Sequence, residues 1–305
     1  MKNSPAWLDI YLLCHNRPEQ AKIAIESILT QSSNCFRLIV SDNSSDDCVE
    51  KMVKTHFPTV LLKQHNDLPS LSHFNTCITE TSALYFCLFH DDDVMGPNFV
   101  EEMNKTRTLY PEAIAIGANA WIVDSKNNRH KSFIAFGQHQ IIDCAETLFK
   151  RYFGRHQNGI APFPSYIYKT KAIGTKRIPE SGGKYADVSW LLSLMSTGKI
   201  VWQVSPLMEY HIHGGNDGLN ESKRDRLSFL GLLKHNPTYT GRLGLGDYRY
   251  FIYKKFISAD NTSLIYKSRT SHLRRFLFWQ RIRRNLRLSN LIPMLIKTTL
   301  RTLKK

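Results

Sequence analysis

The chain has 305 residues, of which 42% are hydrophobic and 11% aromatic, a composition that excludes a disordered protein and allows one large domain or two modest ones. Its net charge of +15 makes nucleic acid, an anionic membrane surface and phosphorylated substrates the partner classes to weigh. The six cysteines show no C-x-x-C spacing, which argues against a zinc centre and indicates free thiols rather than a disulfide framework.

Strands and helices alternate along the first part of the chain. In chain order, the apolar patterns and turn residues predict a strand over 8–14, a helix beginning at 18, a strand over 36–40, a helix over 48–56, a strand over 60–62, a helix over 72–81 and a strand over 83–89. This alternation predicts an α/β protein with a Rossmann-like, mostly parallel central sheet flanked by helices. Ligands bind such sheets at the carboxyl ends of the strands.

Three consecutive carboxylates, Asp91, Asp92 and Asp93, directly follow the apolar strand over 83–89. Acids at the end of a buried strand are costly unless a cation or a ligand neutralises them. Hard cations such as Mg²⁺ and Mn²⁺ prefer carboxylate oxygens and keep open positions that substrate phosphates can fill. The triplet therefore indicates a divalent-metal site, and a surface turn or a helix-capping Asp is the alternative interpretation.

Two other polar residues belong to the same predicted rim of the sheet. Asn16 follows the first strand and Asp42 follows the second, so both are expected near residues 91–93. Neither G-x-G-x-x-G nor a P-loop follows the first strand, which argues against a dinucleotide dehydrogenase and a P-loop phosphotransferase.

The second half of the chain is less regular, above all over 132–180. The predicted elements are a helix over 97–109, a strand over 113–124, a helix over 143–152, a strand over 165–168, a helix over 186–196 and a strand over 201–204. Gly182 and Gly183 precede the helix over 186–196, and Asp187 lies at its start. From this local sequence alone, Asp187 is either an acid with a role in a site or a plain helix N-cap.

Five segments, in order and at matching spacing, resemble a family 2 glycosyltransferase of the GT-A fold. They are Cys14-His15-Asn16-Arg17-Pro18, Val40-Ser41-Asp42-Asn43-Ser44, residues 89–97, Ala186-Asp187 and His211-Ile212-His213-Gly214. The resemblance spans roughly residues 7–216. It implies a nucleotide-sugar-binding catalytic domain over 1–216, and we expect a C-terminal helical region over 217–305.

The resemblance also implies an activity: inverting, metal-dependent transfer of a sugar, of the hexosyltransferase type, from a nucleotide-diphosphate donor to a hydroxyl acceptor. Asp42 would contact the nucleotide base, with Asn16 and Asp91 as further cofactor-binding residues. Asp92, Asp93 and His213 would hold Mn²⁺ or Mg²⁺, and Asp187 would be the general base. Many relatives carry an acid at the position of His90, so the motif reads either as His90-x-Asp92 or as Asp91-x-Asp93.

For His213 and for Arg17, a purely structural interpretation stays open. His213 stands beside Gly214-Gly215, where a histidine by itself is more often a turn residue than a ligand. Arg17 either pairs with phosphate or caps a loop. We leave Arg17 out of the predicted catalytic set.

The positive charge is concentrated at the C-terminus. Residues 267–305 contain 12 of the 41 Lys and Arg residues and no acid, which leaves 29 basic and 26 acidic residues in 1–266. The segment 291–305 has a basic amphipathic pattern that suits the anionic cytoplasmic leaflet. The alternative is that the tail helices pack on the body and expose a solvated basic face, and nucleic-acid binding is a third interpretation.

These patterns predict a cytoplasmic enzyme that is peripheral on the inner face of the cell membrane, because no apolar run approaches the ~18 residues of a membrane span. A lipid-linked glycan in bacterial surface-polysaccharide biosynthesis, such as lipopolysaccharide O-antigen, is the expected acceptor. The competing functions are a basic nucleic-acid-binding protein and a nucleotidylyltransferase of related fold. The latter would need a glycine-rich basic loop that residues 15–18 do not supply, and the nearly neutral body leads us to expect no nucleic-acid partner.

Overall fold

A computed structural model describes residues 5–65, 67–153, 159–213 and 222–252. The strands are β1 Leu8–Cys14, β2 Phe36–Asp42, β3 Leu61–Gln64, β4 Tyr85–His90, β5 Val94–Met95, β6 Ala113–Val123, β7 Arg129–Ser132, β8 Gln140–Ile142, β9 Tyr166–Lys169 and β10 Lys199–His211. The α-helices are α1 Pro18–Leu29, α2 Cys48–His56, α3 Ser70–Glu80, α4 Phe99–Leu109, α5 Ala145–Phe153, α6 Thr170–Ile173, α7 Ala186–Leu194, α8 Lys223–His235 and α9 Gly241–Ile252.

One mixed sheet organises the molecule, in the order β3-β2-β1-β4-β9-β6-β10-β5, with β7 on β6 and β8 on β10. Strands β1 to β4 form a parallel half, and β6 and β10 form a second parallel pair. The short strand β9 runs antiparallel between β4 and β6 and joins the two halves. The predicted GT-A-like α/β fold with a central sheet flanked by helices is therefore confirmed.

Strand β1 is buried along its whole length because helices cover both faces of this sheet. Successive side chains of a strand point to opposite faces. Ile10 and Leu12 pack with α1, α2 and α4 on one face, whereas Tyr11 and Leu13 pack with α3, α5 and α7 on the other. A strand that is apolar at nearly every position is what a sheet buried on both faces requires, and the buried exception, Asp9, bonds to Arg37.

Strand β10 is longer than the predicted strand over 201–204. It continues to His211 because its parallel pairing with β6 resumes after register shifts around Pro206, where the missing N–H of proline is tolerated. Its far end pairs with β5, the two-residue strand that follows the acidic triplet. The bulged strand thus brings residues 209–213 back to the acids.

Helices α8 and α9 fall within the expected C-terminal helical region over 217–305, although their bounds were not predicted, and they pack on the body. Phe229 and Tyr248 are fully buried in the same apolar cluster as Phe149 of α5. The guanidinium carbon of Arg226 lies 4.7 Å from the ring centroid of Tyr185, just before α7. The boundary between 216 and 217 stays a prediction, and the basic tail 267–305 lies outside the described residues.

Within the described ranges, no helix combines the length and the apolar character that crossing a bilayer requires.

Candidate active site

The site forms where the first strands of the sheet end. Cys14 of β1 is paired with Asp42 of β2, and Leu13 is paired with His90 of β4, so the loops that follow these three strands meet at one edge. Parallel strands place their carboxyl ends together, which is why residues far apart in the sequence converge here.

Arg17 ties two acids of the triplet together. Its Nη1 donates to Asp92 Oδ2 at 2.8 Å, and its Nη2 donates to Asp91 Oδ1. The second oxygen of Asp91 accepts the backbone N–H of His15 at 3.1 Å, so this fully buried carboxylate is held between the loop after β1 and the arginine. Asp92 is slightly exposed and also bonds to His213 Nε2 at 2.9 Å.

Asp93 faces β10 rather than the arginine. Its Oδ1 accepts the backbone N–H of His211 at 3.0 Å. Among the described residues, its buried Oδ2 has no hydrogen-bond partner. A buried carboxylate oxygen without a donor is costly, so this atom calls for a cation or another donor.

A divalent cation fits the residues around that oxygen. His90, Asp92 and Asp93 each offer a ligand atom, and these atoms lie within 4.8 Å of one another. One imidazole and two carboxylates make a donor set that suits Mn²⁺, and carboxylates suit Mg²⁺. Of the two readings of the motif, this grouping contains His90 and Asp92, whereas Asp91 is engaged by Arg17 and His15.

The electrostatics of the three acids differ. Burial raises the pKa of Asp91 to about 6 despite Arg17. Burial, with the charge of Asp92, raises the pKa of Asp93 well above its usual range. Burial also acts to raise the pKa of Asp92, but His90, Arg17 and His213 outweigh it and hold that pKa below its usual value. Asp92 is thus the acid most firmly ionised at neutral pH.

A cleft of about 1170 Å³ opens beside the cluster. Asp92, Arg17, His213 and Asp187 all line it. Its wall is aromatic in part, formed among others by Phe74, Phe133, Tyr152, Phe163 and Tyr210. The cleft is large enough for a ligand of drug size or larger, with ionised groups beside an apolar wall.

Asp187 lies in the first turn of α7, and the N-cap of that helix is Tyr185. Burial raises the pKa of Asp187 to about 6, although its carboxylate accepts backbone N–H groups from residues 187 and 188. The chain reaches this helix through Gly183, whose φ of +53° favours glycine. The preceding Gly182 is equally constrained, since an added Cβ would lie 2.7 Å from Ser189 Oγ.

Asn16 and Asp42 lie outside the cleft lining. Asn16 has a φ of +55°, a conformation that Asn tolerates, and its Oδ1 accepts the backbone N–H of Ser45 at 3.0 Å. Asp42 is buried, and its Oδ1 accepts the N–H of Ser44 at 3.0 Å. Both residues shape the loop after β2.

The neighbouring Asn43, which the sequence analysis did not select, does line the cleft. Its side chain bonds to both the N–H and the C=O of Leu68, at 2.8 and 2.9 Å. His15, whose Nδ1 lies 2.7 Å from the carbonyl oxygen of Asn43, and His73 of α3 line the same part of the cleft. His15 and Asn43 directly follow the ends of β1 and β2, which was their only sequence signal, whereas nothing local marked His73 within α3.

Comparisons with known proteins identify the family and the fold. The family model described as "Glycosyl transferase family 2" matches residues 9–169. None of the curated proteins has a significantly similar sequence.

Among solved structures, the crystal structure of S. aureus TarS 1-349 superposes with a TM-score of 0.60 at 13% identity, covering 84% of this chain and 74% of that one. The same protein in complex with UDP-GlcNAc gives 0.62 at 12% identity, covering 84% and 75%. Its complex with UDP gives 0.59 at 12% identity, covering 88% and 77%. At these identities the likeness establishes the fold.

Proposed function

The chain belongs to glycosyl transferase family 2, and we propose that it is an inverting, metal-dependent transferase that moves a sugar from a nucleotide-diphosphate donor to a hydroxyl acceptor. The observation that carries this proposal is the single cleft that Asp92, His213 and Asp187 line together. A cation site for the departing diphosphate and a candidate base then lie at one cavity, which is what transfer of a glycosyl group requires.

A uridine diphosphate hexose is the proposed donor, which would make the reaction hexosyl transfer. Support comes from the UDP-GlcNAc complex of the structurally similar TarS. We propose that the base lies against the loop after β2, where Asp42 and Asn43 hold the backbone and Asn16 fixes the facing loop. Asp91 would act on the donor through Arg17.

His90, Asp92 and Asp93 would hold Mn²⁺ or Mg²⁺, and His213 bonds to Asp92. Such an ion, when bound, neutralises the negative charge that grows on the departing diphosphate. The residues themselves keep Asp92 ionised, because imidazole and guanidinium groups lower its pKa. His211 contributes through its backbone N–H, which fixes the orientation of Asp93.

Asp187 is the proposed general base. The acceptor hydroxyl must lose a proton as it attacks, and a carboxylate with a pKa of about 6 is ionised at neutral pH yet a stronger base than an ordinary Asp. A base that activates the acceptor directly implies a single displacement, which inverts the anomeric carbon. Gly182 and Gly183 position the start of α7 so that this carboxylate lines the cleft.

We further propose that the acceptor is a lipid-linked glycan in surface-polysaccharide assembly, as in lipopolysaccharide O-antigen synthesis, and that the enzyme is peripheral on the inner face of the cell membrane. Residues 1–216 would form the catalytic domain, and 217–305 would carry the basic tail that contacts anionic lipid. Replacing Lys297, Arg301, Lys304 and Lys305 by Gln in the full chain should weaken binding to anionic vesicles by ~4 kcal/mol, at ~1 kcal/mol per charge, and so reduce flotation sharply. Equal flotation of both proteins would contradict the membrane role.

The donor is best identified by thermal shift with a panel of nucleotide sugars, each with Mn²⁺ and with EDTA. A ligand that binds only the folded protein at a hundred times its Kd adds ~2.7 kcal/mol of stability. We expect one uridine diphosphate sugar to raise the Tm strongly in Mn²⁺ and weakly in EDTA. If no nucleotide sugar stabilised the protein, the proposed function would be wrong.

A further inference from the structure

Arg17 lies between the acidic cluster and the open cleft. One side of its guanidinium donates to Asp92 at 2.8 Å and the other donates to Asp91, whose carboxylate is fully buried. The arginine side chain itself is 35% exposed and lines the cleft. The Arg17 side chain is therefore bonded to a buried acid and still partly accessible from the cleft.

We propose that Arg17 is the resident counter-cation of the cluster and exchanges with a divalent ion at Asp92, an inference that rests on the metal site of the proposed function. When the ion binds, the guanidinium releases Asp92, keeps its bond to Asp91 and turns its freed N–H groups toward the diphosphate in the cleft.

Charge explains why a resident cation is needed. Asp91, Asp92 and Asp93 follow one another at a buried strand end, and buried carboxylates without a compensating charge are strongly destabilising. Arg17 supplies a fixed positive charge that belongs to the chain itself. The protein can therefore fold with this cluster intact before any ion arrives.

Asp92 is the acid for which the two cations would compete. Its Oδ2 accepts from Arg17 and from His213, and the same side chain groups with His90 and Asp93 as a set of ion ligands. A dication on this carboxylate competes for its charge and repels the guanidinium. Asp91 lies outside that ligand group, so its bond to Arg17 is the one that persists.

The exchange links ion binding to nucleotide binding. An arginine fork suits phosphate oxygens, and the N–H groups released from Asp92 would lie at the cleft. Removing Arg17 should consequently have opposite effects on the two ligands: the ion binds more tightly and the diphosphate binds less tightly. An arginine with a merely structural role would, on removal, weaken both.

A charge-balanced double variant, Arg17→Gln with Asp91→Asn, isolates the exchange because it removes one positive and one negative charge from the cluster. The chain offers a matched control at the opposite end of β1, where Arg37 bonds to both oxygens of buried Asp9 at 3.0 and 2.8 Å. The control is Arg37→Gln with Asp9→Asn. Mn²⁺ alone is titrated by the electron paramagnetic resonance of the free ion, and UDP is then titrated by calorimetry in saturating Mn²⁺.

We expect the Arg17→Gln/Asp91→Asn protein to bind Mn²⁺ about tenfold more tightly than the wild type, because the ion no longer has to displace the charged hydrogen bond from Arg17 to Asp92. It should bind UDP about tenfold more weakly, because the charged hydrogen bond from Arg17 to the diphosphate is lost. The control should match the wild type. If the double variant does not fold, Arg17→Lys replaces it, because an ammonium group cannot hold both acids through parallel N–H donors. That protein should also bind Mn²⁺ more tightly.

Unchanged or weaker Mn²⁺ binding by the folded variant would overturn the exchange and leave the proposed metal site standing. Absence of Mn²⁺ binding by the wild type as well would overturn the exchange together with the metal site.

Discussion

Replacing Asp187 by Asn should stabilise the protein at neutral pH while it removes activity. The pKa of this carboxyl is raised from 3.8 to about 6, so the folded state resists its ionisation. At 1.36 kcal/mol for each pH unit, the ionised side chain costs ~3 kcal/mol of stability above pH 6. Asn carries no charge and escapes that cost. The value is an upper bound, because an amide oxygen accepts the two backbone N–H groups less strongly.

The pH dependence follows from the sign of the shift. A group whose folded pKa is raised costs nothing below its unfolded pKa, and the cost is complete above its folded pKa. The advantage of Asp187→Asn should therefore be full at pH 7.5 and vanish by about pH 4. With ~2–4 °C for each kcal/mol, several degrees of Tm separate the two proteins at pH 7.5.

Two assays check this reasoning. Thermal unfolding at pH 7.5 and pH 4 measures the stability difference, and turnover at pH 7.5 should fall ~10²–10⁴-fold if Asp187 is the base. Asp92→Asn is the matched control. The pKa of Asp92 is lowered, so its ionised form stabilises the folded state and the Asp-to-Asn substitution should lower the Tm at pH 7.5. An Asp187→Asn protein that is active, or no more stable than the wild type at pH 7.5, would refute the argument.

Two further substitutions test the scaffold. Asp9 is fully buried and accepts hydrogen bonds from Arg37 and from two backbone N–H groups. Asp9→Ala leaves those N–H groups unsatisfied, whereas the half-exposed Arg37 can be solvated, so the substitution should cost ~1–3 kcal/mol in urea unfolding and leave the turnover of folded molecules unchanged. Unchanged stability would be inconsistent with that anchor. Gly182→Ala would place a Cβ 2.7 Å from Ser189 Oγ, displace the start of α7 and lower kcat by ~10²-fold. Gly231→Ala is the control, because open space surrounds that glycine and kcat should not change. Equal kcat for the two variants would contradict the positioning role of Gly182.

The sequence was sufficient to predict the strands of the parallel half of the sheet. β1, β2 and β4 were predictable because each is a short apolar run that ends at polar residues, and a strand buried on both faces needs no alternation. The acids at the end of β4 indicated a cation site for the same reason: charge at a buried strand end needs a partner.

The details of the site depend on backbone geometry that the sequence does not encode locally. Arg17 reaches Asp91 and Asp92 because the chain turns at Asn16, whose φ is +55°. His213 meets Asp92 only because β10 continues past Pro206 and pairs again with β6. A local pattern stops a strand at proline, whereas long-range pairing allows a bulge there.

The helices after residue 222 illustrate a second limit. Helix α8 packs on the segment that leads into α7, and its buried Phe229 has a ring contact with Tyr185 at 4.9 Å between centroids. Which element covers an apolar surface is decided by tertiary packing, which short-range periodicity cannot supply.

The central claim is that a cation held at Asp92 and the donor diphosphate bind as one unit. Calorimetric titration of UDP, with Mn²⁺ and with EDTA, into the wild type and into Asp92→Asn tests it most directly. We predict that Mn²⁺ tightens UDP binding to the wild type at least about tenfold, ~1.4 kcal/mol, and has no such effect on Asp92→Asn. The same UDP affinity with Mn²⁺ and with EDTA, or an undiminished effect of Mn²⁺ in Asp92→Asn, would contradict the account.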